Sequence, residues 1–376
     1  MPAYFDCNAT TPIDPEVGEI VLHYLTQEFG NEGSRTHLYG ARAKQAVQLA
    51  RDQVASIAHA KRDEVIFTSG ATESNNLAIL GLREYGIQQG RRHIVSTAIE
   101  HKAVLEPLEA LADQGFEITL LKPDASGAVA AGQVADALRD DTLLVSVMHV
   151  NNETGVIQPV GEIGEALKQH KAFLHVDAAQ GFGKLRQDLS HRRIDLISLS
   201  GHKLYAPKGI GALVVRKRGY QRVPLKPLVH GGGQERGLRP GTLPVALIAG
   251  LGKAAELAAK QEKQRQSRCA EIRAQVTSAF DRLQAIPNGD PERMIMSTYN
   301  VTLPGLDSEA VMVALKEEIA ISNGSACTSQ SYTASHVLTA MGLPEEQIKG
   351  ALRLSWCHLT EEPDWDRIVG IIEKLR

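Results

Sequence analysis

Short apolar runs alternate with longer helix-favouring segments over much of the chain. Seven such runs fall between about residues 64 and 216: EVIFTS, RHIVST, FEITLLK, LLVSVMHV, AFLHVDA, IDLISLS and GALVVRK. Segments typical of helices, such as ATESNNLAILGLREYGIQQG and PVGEIGEALKQHK, lie between them. Near-continuous apolar strands separated by helices are typical of a mainly parallel sheet that is covered on both faces. The pattern therefore predicts an α/β fold with a mainly parallel seven-stranded sheet.

The last third of the chain has a different pattern. Residues 244–287 are rich in Ala, Leu, Glu, Lys, Gln and Arg, which predicts a long helix, straight or bent. Strand-like STYNVTLP, IAISN and GALRLSW then alternate with helix-like SEAVMVALKEE and ASHVLTAMG. We therefore expect a large domain over residues 13–259 and a smaller α+β domain formed by residues 1–12 and 260–376. A cleft between two domains is the default place for a small ligand.

Composition narrows the class of protein. The 376 residues are 43% hydrophobic and 23% charged, as in an ordinary globular protein. A formal net charge of −3 without a basic run gives no electrostatic footprint for nucleic acid. No stretch approaches 18 apolar residues, and the start MPAYFDCNATTP has no signal-peptide pattern, so we expect neither a membrane span nor export.

Four scattered cysteines, without any C-x-x-C pair, argue against a disulfide framework and against a four-cysteine zinc site. They are Cys7, Cys269, Cys327 and Cys357. We therefore expect a reducing, cytoplasmic setting and no bound metal. Each cysteine is first interpreted as a small, partly buried filler.

Polar clusters follow three successive predicted strands. They are Asn151, Asn152 and Glu153 after LLVSVMHV, Asp177 and Gln180 after AFLHV, and Ser200, His202 and Lys203 after IDLISL. A single cluster of this kind is most simply a solvated loop. Three in a row favour a shared site, because ligands of such folds collect at the carboxyl ends of the strands.

A candidate anion site follows the run VIFT. Ser69, Gly70, Ala71 and Thr72 lead directly into a predicted helix, whose first N–H groups favour an anion. The alternative is an ordinary helix start with Thr72 as its N-cap. Neither G-x-x-x-x-G-K-[ST] nor G-x-G-x-x-G after a strand is present, so nucleotide-binding templates do not match.

Together these features supply what pyridoxal 5'-phosphate needs from a protein. The cofactor takes a phosphate seat, a lysine for a covalent link and a carboxylate that keeps its pyridine nitrogen protonated. Lys203 and Asp177 are the predicted lysine and carboxylate. The structural alternative is a lysine that extends from a strand end to solvent. That alternative does not explain why Asp177, His202 and the predicted phosphate site accompany the lysine.

Eight motifs also resemble a known family. They are FDCNATTPIDPEV, TSGATESNN, TAIEHKAVLE, VNNETGVIQPV, HVDAAQ, SGHKLYAPKGIG, GGGQERGLRPGTLPV and SNGSACTS. From about residue 4 to residue 355 the chain resembles the cysteine desulfurases of the NifS/IscS group, which are class V, fold-type-I pyridoxal-phosphate enzymes. The resemblance implies a fold-type-I PLP-dependent transferase, with a large domain and a smaller α+β domain.

The resemblance also implies a role for each matching residue. Lys203 would hold the cofactor covalently, and His101 would stack on its ring and take part in proton transfer. The remaining cofactor contacts would come from Asp177 at the ring nitrogen, Gln180 and Asn152 at the ring hydroxyl, and Ala71, Thr72, Ser200 and His202 at the phosphate. Thr242 would reach the phosphate from the partner subunit of a homodimer. Asn8, Asn152 and Arg353 would bind the substrate L-cysteine, with Asn8 and Arg353 at its carboxylate.

Cys327 decides the implied reaction. Its setting SNGSACTSQSYTAS is small and polar, which is typical of an exposed loop rather than a core. Cys327 would take the sulfur of L-cysteine as a persulfide, leave L-alanine, and pass the sulfur to an acceptor protein. The acceptor would belong to iron–sulfur assembly, thiolation or DNA phosphorothioation. Cys357 stands where the family usually has glycine, which makes the surroundings of Arg353 unusual.

The sequence is also compatible with two other functions. The first is a class V aminotransferase or a selenocysteine lyase on the same fold, in which Cys327 is only a loop residue. The second is a non-enzymatic scaffold that carries sulfur or a cluster, with a transient iron–sulfur group at Cys327. The scattered spacing of the cysteines disfavours the scaffold.

Overall fold

The computed structural model describes residues 1–323 and 334–376. Its strands are β1 (Ala3–Tyr4), β2 (Val65–Thr68), β3 (His93–Thr97), β4 (Glu117–Leu121), β5 (Thr142–Met148), β6 (Phe173–Asp177), β7 (Leu196–Ser200), β8 (Gly211–Val215), β9 (Ile286–Pro287), β10 (Thr298–Thr302), β11 (Ile319–Ala320) and β12 (Ala351–Ser355). Its helices are α1 (Pro15–Thr26), α2 (Leu38–Ile57), α3 (Ala71–Leu80), α4 (Arg83–Gln89), α5 (Lys102–Ala112), α6 (Ala131–Asp136), α7 (Val160–Ala166), α8 (Val245–Lys260), α9 (Glu262–Arg282), α10 (Ser308–Leu315), α11 (His336–Ala340), α12 (Glu345–Lys349) and α13 (Trp365–Glu373).

A seven-stranded sheet in the order β2-β8-β7-β6-β5-β3-β4 forms the centre of the larger part of the chain. The neighbours from β7 to β4 pair in parallel, whereas β8 runs antiparallel to both β2 and β7. Each of the seven apolar runs overlaps one of these strands. The predicted α/β fold with a mainly parallel sheet of seven strands is therefore confirmed.

Helices cover both faces of this sheet, because successive side chains of a strand point to opposite sides. In β2, Ile66 belongs to the apolar cluster that contains α3 and α5, and Phe67 belongs to the cluster that contains α2 and α8. Both side chains are 2% exposed. Six of the seven strands are buried throughout, and only the edge strand β4 is partly exposed.

A second apolar core lies around Trp356, which is 1% exposed. Its sheet has the order β12-β10-β9 with antiparallel pairing, and β1 pairs in parallel with β11 beside it. The long helix predicted over residues 244–287 is two helices that meet at Gln261. The first packs on α1 and α2 of the large sheet, and the second on α13 of this smaller core. The exact domain bounds stay a prediction.

None of the helices in residues 1–323 and 334–376 combines the length and the apolar character that a membrane crossing requires.

Candidate active site

A cavity of about 480 Å³ lies at the carboxyl ends of β2, β6 and β7. Most of the residues predicted for the site line it: Asn8, Ala71, Thr72, His101, Asn152, Asp177, Gln180, Ser200, His202, Lys203 and Arg353. Thr242 is exposed and does not line it. Cys327 lies outside the described residues. The structure thus brings together eleven predicted side chains that are scattered between residues 8 and 353.

Lys203 reaches the cavity because β7 ends at Ser200 and a single 3₁₀ turn, Gly201–Lys203, follows it. Its Nζ donates hydrogen bonds to the backbone carbonyls of Asn8 and of Ala9, the latter at 2.6 Å. Carbonyl oxygens offset part of the cost of taking an ammonium group out of water. The N-terminal segment therefore holds the lysine amine at the wall of the cavity.

Asp177 is the last residue of β6 and is 5% exposed. One carboxylate oxygen accepts the backbone N–H of Ala179 at 2.9 Å, and the other accepts the side-chain N–H of Asn75 at 2.7 Å. Asn75 lies on α3 and is completely buried. These two hydrogen bonds fix the orientation of the carboxylate that faces the cavity.

His101 is the N-cap of α5, and its ring also lines the cavity. Its Nδ1 accepts the backbone N–H of Ala103 at 3.0 Å, which places the proton of a neutral imidazole on Nε2. Burial lowers the pKa of His101, and the nearby charge of Lys203 lowers it further. The ring is therefore neutral near pH 7 and presents an N–H donor at Nε2.

The opposite end of the cavity is built to receive an anion. The N-cap of α3 is Gly70, which has no side chain to accept a hydrogen bond from the start of the helix. The first N–H groups of α3 therefore face the cavity without a side-chain partner from the N-cap residue. The side chains of Ser200, His202 and Lys208 lie beside them. Burial, together with the charges of Lys203 and Lys208, lowers the pKa of His202 to about 4. Neutral His202 is a hydrogen-bonding group here, and Lys208 supplies positive charge.

Arg353, on β12, is held from two sides. It donates to a carboxylate oxygen of Asp6 at 2.6 Å and to the backbone carbonyl of Asn152 at 3.1 Å. Asn8 also donates to the carbonyl of Asn152, at 3.1 Å. The guanidinium of Arg353 and the side-chain amide of Asn8 therefore donate to the same carbonyl oxygen, which keeps both groups on the same side of the cavity.

Three buried polar atoms around this cavity have no hydrogen-bond partner within the described part of the chain. They are Asn75 Oδ1, Gln180 Oε1 and Arg353 Nε. A buried polar group without a partner costs free energy, so such groups mark positions that a bound molecule completes. Gln180 Oε1 suits a hydroxyl donor and Arg353 Nε suits an oxygen acceptor. The donor set therefore fits pyridoxal 5'-phosphate together with an amino-acid carboxylate.

The clusters at the strand ends do not all point to the cavity. Of the cluster Asn151, Asn152 and Glu153, only Asn152 lines it. The side chain of Asn151 accepts the N–H groups of Glu153 and Thr154 at 2.9 Å, and it thereby shapes the turn. The side chain of Glu153 accepts the hydroxyl of Ser335. Asn151 and Glu153 are therefore structural residues of this site.

Two polar side chains of the cavity lining, those of Asn75 and Lys208, were not predicted from the sequence. Asn75 lies within the quoted segment TSGATESNN, where its position on a helix gives no sign that it contacts Asp177. Lys208 lies within SGHKLYAPKGIG, and its spacing of five from Lys203 was the only available signal. Both positions depend on how α3 and the turn after β7 pack.

Comparison with known proteins assigns this chain to a family. The model of the family Aminotransferase class-V matches residues 3–368. A cysteine desulfurase IscS from Vibrio cholerae is 43% identical over 383 aligned positions, covering 100% of this chain and 94% of that protein. A cysteine desulfurase IscS from Shewanella denitrificans is 44% identical with the same coverage.

Solved structures give the same result. The crystal structure of DndA from Streptomyces lividans is 53% identical, with a TM-score of 0.84 over 95% of this chain and 98% of that one. A structure of SspA in complex with cysteine is 39% identical, with a TM-score of 0.83 over 94% of this chain and 98% of that one. The chain therefore belongs to the class-V aminotransferase family and, within it, to the cysteine desulfurases, which are pyridoxal-phosphate-dependent enzymes.

Proposed function

We propose that this enzyme takes the sulfur of L-cysteine as a persulfide on Cys327, with pyridoxal 5'-phosphate bound in the cavity at the strand ends. One observation carries the proposal. The Lys203 amine, the Asp177 carboxylate and the start of α3 line one cavity, and that cavity also holds Arg353. The SspA structure with cysteine supports the choice of substrate, because that protein is 39% identical to this chain.

The cofactor would lie between Asp177 and the start of α3. Ala71, Thr72, Ser200, His202 and Lys208 would hold its phosphate. Asn152 and Gln180 would contact the ring hydroxyl, and His101 would stack on the ring. When bound, the cofactor supplies a covalent link to Lys203 and an electron sink for the α-carbon of the substrate.

The carboxylate of L-cysteine would bind Arg353 and Asn8. A guanidinium is a planar donor that pairs well with a carboxylate, and Asp6 and the carbonyl of Asn152 keep it in one orientation. The Nε of Arg353 is the donor that has no partner among the described residues. The substrate would therefore be bound in one orientation before any bond changes.

Two groups of the chain would handle protons. The Nζ of Lys203 would take the proton of the substrate α-carbon. His101 would give its Nε2 proton to a group in the cavity, since Nδ1 is occupied by the N–H of Ala103. The Sγ of Cys327, as a thiolate, would then attack the substrate sulfur. The carbon–sulfur bond breaks, Cys327 gains one sulfur as a persulfide, and L-cysteine becomes L-alanine.

The decisive experiment is incubation of the purified enzyme with L-cysteine, followed by mass analysis of the peptide that contains Cys327. The expected product is that peptide with one added sulfur atom, and Cys327→Ser should keep the yellow cofactor but release neither sulfide nor alanine. Unchanged alanine production by Cys327→Ser would assign the reaction to another nucleophile. Formation of a keto acid from the substrate would favour an aminotransferase.

We also propose a cytoplasmic homodimer in which Thr242 of each subunit reaches the cofactor phosphate of its partner. Thr242 is exposed and does not line the cavity of its own chain, which is compatible with such a role. Cys7, Cys269 and Cys357 are free thiols, as expected in a reducing compartment. Sulfur would leave Cys327 for an acceptor protein of iron–sulfur assembly, thiolation or DNA phosphorothioation.

A further inference from the structure

Two of the three cysteines that the proposed reaction does not use pack together, and the third lies in a neighbouring cavity. Cys7 and Cys357 are each 1% exposed and pack with Tyr205 in one small cluster. Cys269 is 8% exposed and lines a separate cavity of about 570 Å³, to which Tyr205 and Lys184 also belong. The sequence scatters these cysteines over 350 positions, so only the fold makes them neighbours.

Cys7 and Cys357 pack together in this cluster. A backbone bridge between Asp6 and Ser355 brings their two chain segments side by side. The hydroxyl of Thr360 lies between the two thiols, at 3.6 Å from the Cys357 sulfur and 4.0 Å from the Cys7 sulfur. The backbone supports the contact, because Cys7 N–H donates to the carbonyl of Ser355 at 3.0 Å. Two thiols held in this way need little movement to form a bond.

Local charges favour a reactive thiolate at one member of the pair. The neighbouring Cys7 thiol lowers the pKa of Cys357 to about 7, against the effect of burial, and Thr360 and the charge of Lys184 act in the same direction. The same contact and burial raise the pKa of Cys7. A thiolate is the form that reacts with oxidants. Cys357 is therefore the more acidic thiol of the pair, and Cys7 is its neighbour.

We propose that Cys7 and Cys357 are a modification site: a dithiol that a peroxide converts into a disulfide. The thiolate of Cys357 attacks one oxygen of hydrogen peroxide, which gives a sulfenic acid and, with one proton, water. The sulfur of Cys7 then attacks the sulfenic sulfur, the sulfur–oxygen bond breaks, and the Cys7 proton leaves with the hydroxide as a second water. Two thiols lose two electrons and one peroxide gains them.

A disulfide between Cys7 and Cys357 would affect the substrate site, because both cysteines lie close in sequence to residues of that site. Cys7 lies between Asp6, which pairs with Arg353, and Asn8, whose carbonyl accepts from Lys203. Cys357 follows Arg353 by four residues. The disulfide would therefore tie together the two segments that orient the groups for the substrate carboxylate and the lysine amine. Oxidation at this pair would act on substrate binding without touching Cys327.

The test uses the full-length holoenzyme with Cys327→Ser, so that the proposed nucleophile does not react. After treatment with hydrogen peroxide, a non-reducing peptide map should contain one cross-linked species that joins the Cys7 and Cys357 peptides. Thiol titration should show the loss of two of the three remaining thiols, and dithiothreitol should restore both. The affinity for L-cysteine, followed by the cofactor absorbance, should change on oxidation and recover on reduction.

Matched variants separate this pair from its neighbour. Cys269→Ser should leave the cross-link intact, and Cys7→Ser should leave Cys357 as a sulfenic acid that dimedone labels. The peptide map of the parent protein decides the question even where a variant does not fold. Two unreacted thiols, over-oxidation of Cys357 without a cross-link, or a cross-link to Cys269 would each overturn the proposal.

Discussion

The side-chain amide of Asn75 donates a hydrogen bond of 2.7 Å to the carboxylate of Asp177. Asn75 is completely buried on α3, and Asp177 ends β6, so the bond joins a helix to a strand at the floor of the cavity. Hydrogen bonds to a charged group contribute about 1.5–3 kcal/mol. Asn75 is therefore a positioning residue for the carboxylate that would pair with the cofactor ring.

Replacement of Asn75 by Ala should weaken the binding of pyridoxal 5'-phosphate by about 10-fold or more, which follows from the strength of a hydrogen bond to a charged group. The absorbance of the bound cofactor should also shift, since the carboxylate would no longer be held at the ring nitrogen. Titration of the cofactor-free enzyme, followed by absorbance, measures both effects. Asn76→Ala is the matched control, because Asn76 donates to the carbonyl of Thr72 and does not line the cavity. Equal effects of the two variants would contradict the role of Asn75.

Part of this site is predictable from the sequence, for a simple reason. Asp177 and Lys203 are polar residues placed directly after apolar strands, and parallel strands bring such ends to the same edge of a sheet. Asn75 is not predictable in this way, because it lies within a helix whose packing decides which residue it faces. The sequence allows a bend in the helix predicted over residues 244–287 but does not place it at Gln261, since helix-favouring residues continue through that position. The two helices pack on different cores.

The proposed roles of Thr242 and Cys327 depend on more than the described part of one chain. The proposed contact of Thr242 with a phosphate would need a second subunit, so the fold of a single chain does not test it. Cys357 is the opposite case, because its departure from the family pattern is visible in the sequence. The sequence does not show that Cys7 lies next to it, since only the fold brings these two residues together.

Lys208 gives a second prediction. Its ammonium lines the anion end of the cavity and is exposed, and its charge helps to lower the pKa of His202. Lys208→Gln should weaken cofactor binding by only about 2- to 5-fold, because exposed charges contribute about 0.2–1 kcal/mol. The difference from the wild type should shrink as salt is added. Lys226→Gln, at an exposed lysine outside the cavity, is the control, and a salt-independent loss would contradict an electrostatic role.

His175 gives a prediction about stability and pH. It lies completely buried on β6, between the hydroxyls of Ser146 at 2.8 Å and Ser198 at 2.9 Å. Burial lowers its pKa from 6.5 to about 4. Between these values the unfolded chain binds a proton that the folded chain does not, so the free energy of unfolding falls as the pH falls. The contribution is complete above pH 6.5 and amounts to about 3 kcal/mol.

Urea unfolding at several pH values between 7 and 4 measures this contribution. His175→Gln keeps a neutral polar side chain but removes the titration, so its unfolding free energy should depend less on pH over this window. His230→Gln is the control, because His230 is exposed. Parallel curves for the wild type and His175→Gln would show that protonation of His175 does not limit stability in acid.

Arg353 gives the prediction that bears most directly on the substrate. Lysine in its place keeps the charge but loses the planar fork, and with it the simultaneous contacts to Asp6, to the carbonyl of Asn152 and to a bound carboxylate. Arg353→Lys should lower kcat/KM for L-cysteine by about 10- to 100-fold, chiefly through KM, which corresponds to one lost charged hydrogen bond. Cofactor affinity should stay near that of the wild type, since Arg353 lies at the substrate side. Arg367→Lys, at an exposed arginine paired with Glu318, is the control. A loss in kcat alone, with KM unchanged, would instead assign Arg353 to the chemical step rather than to holding the carboxylate.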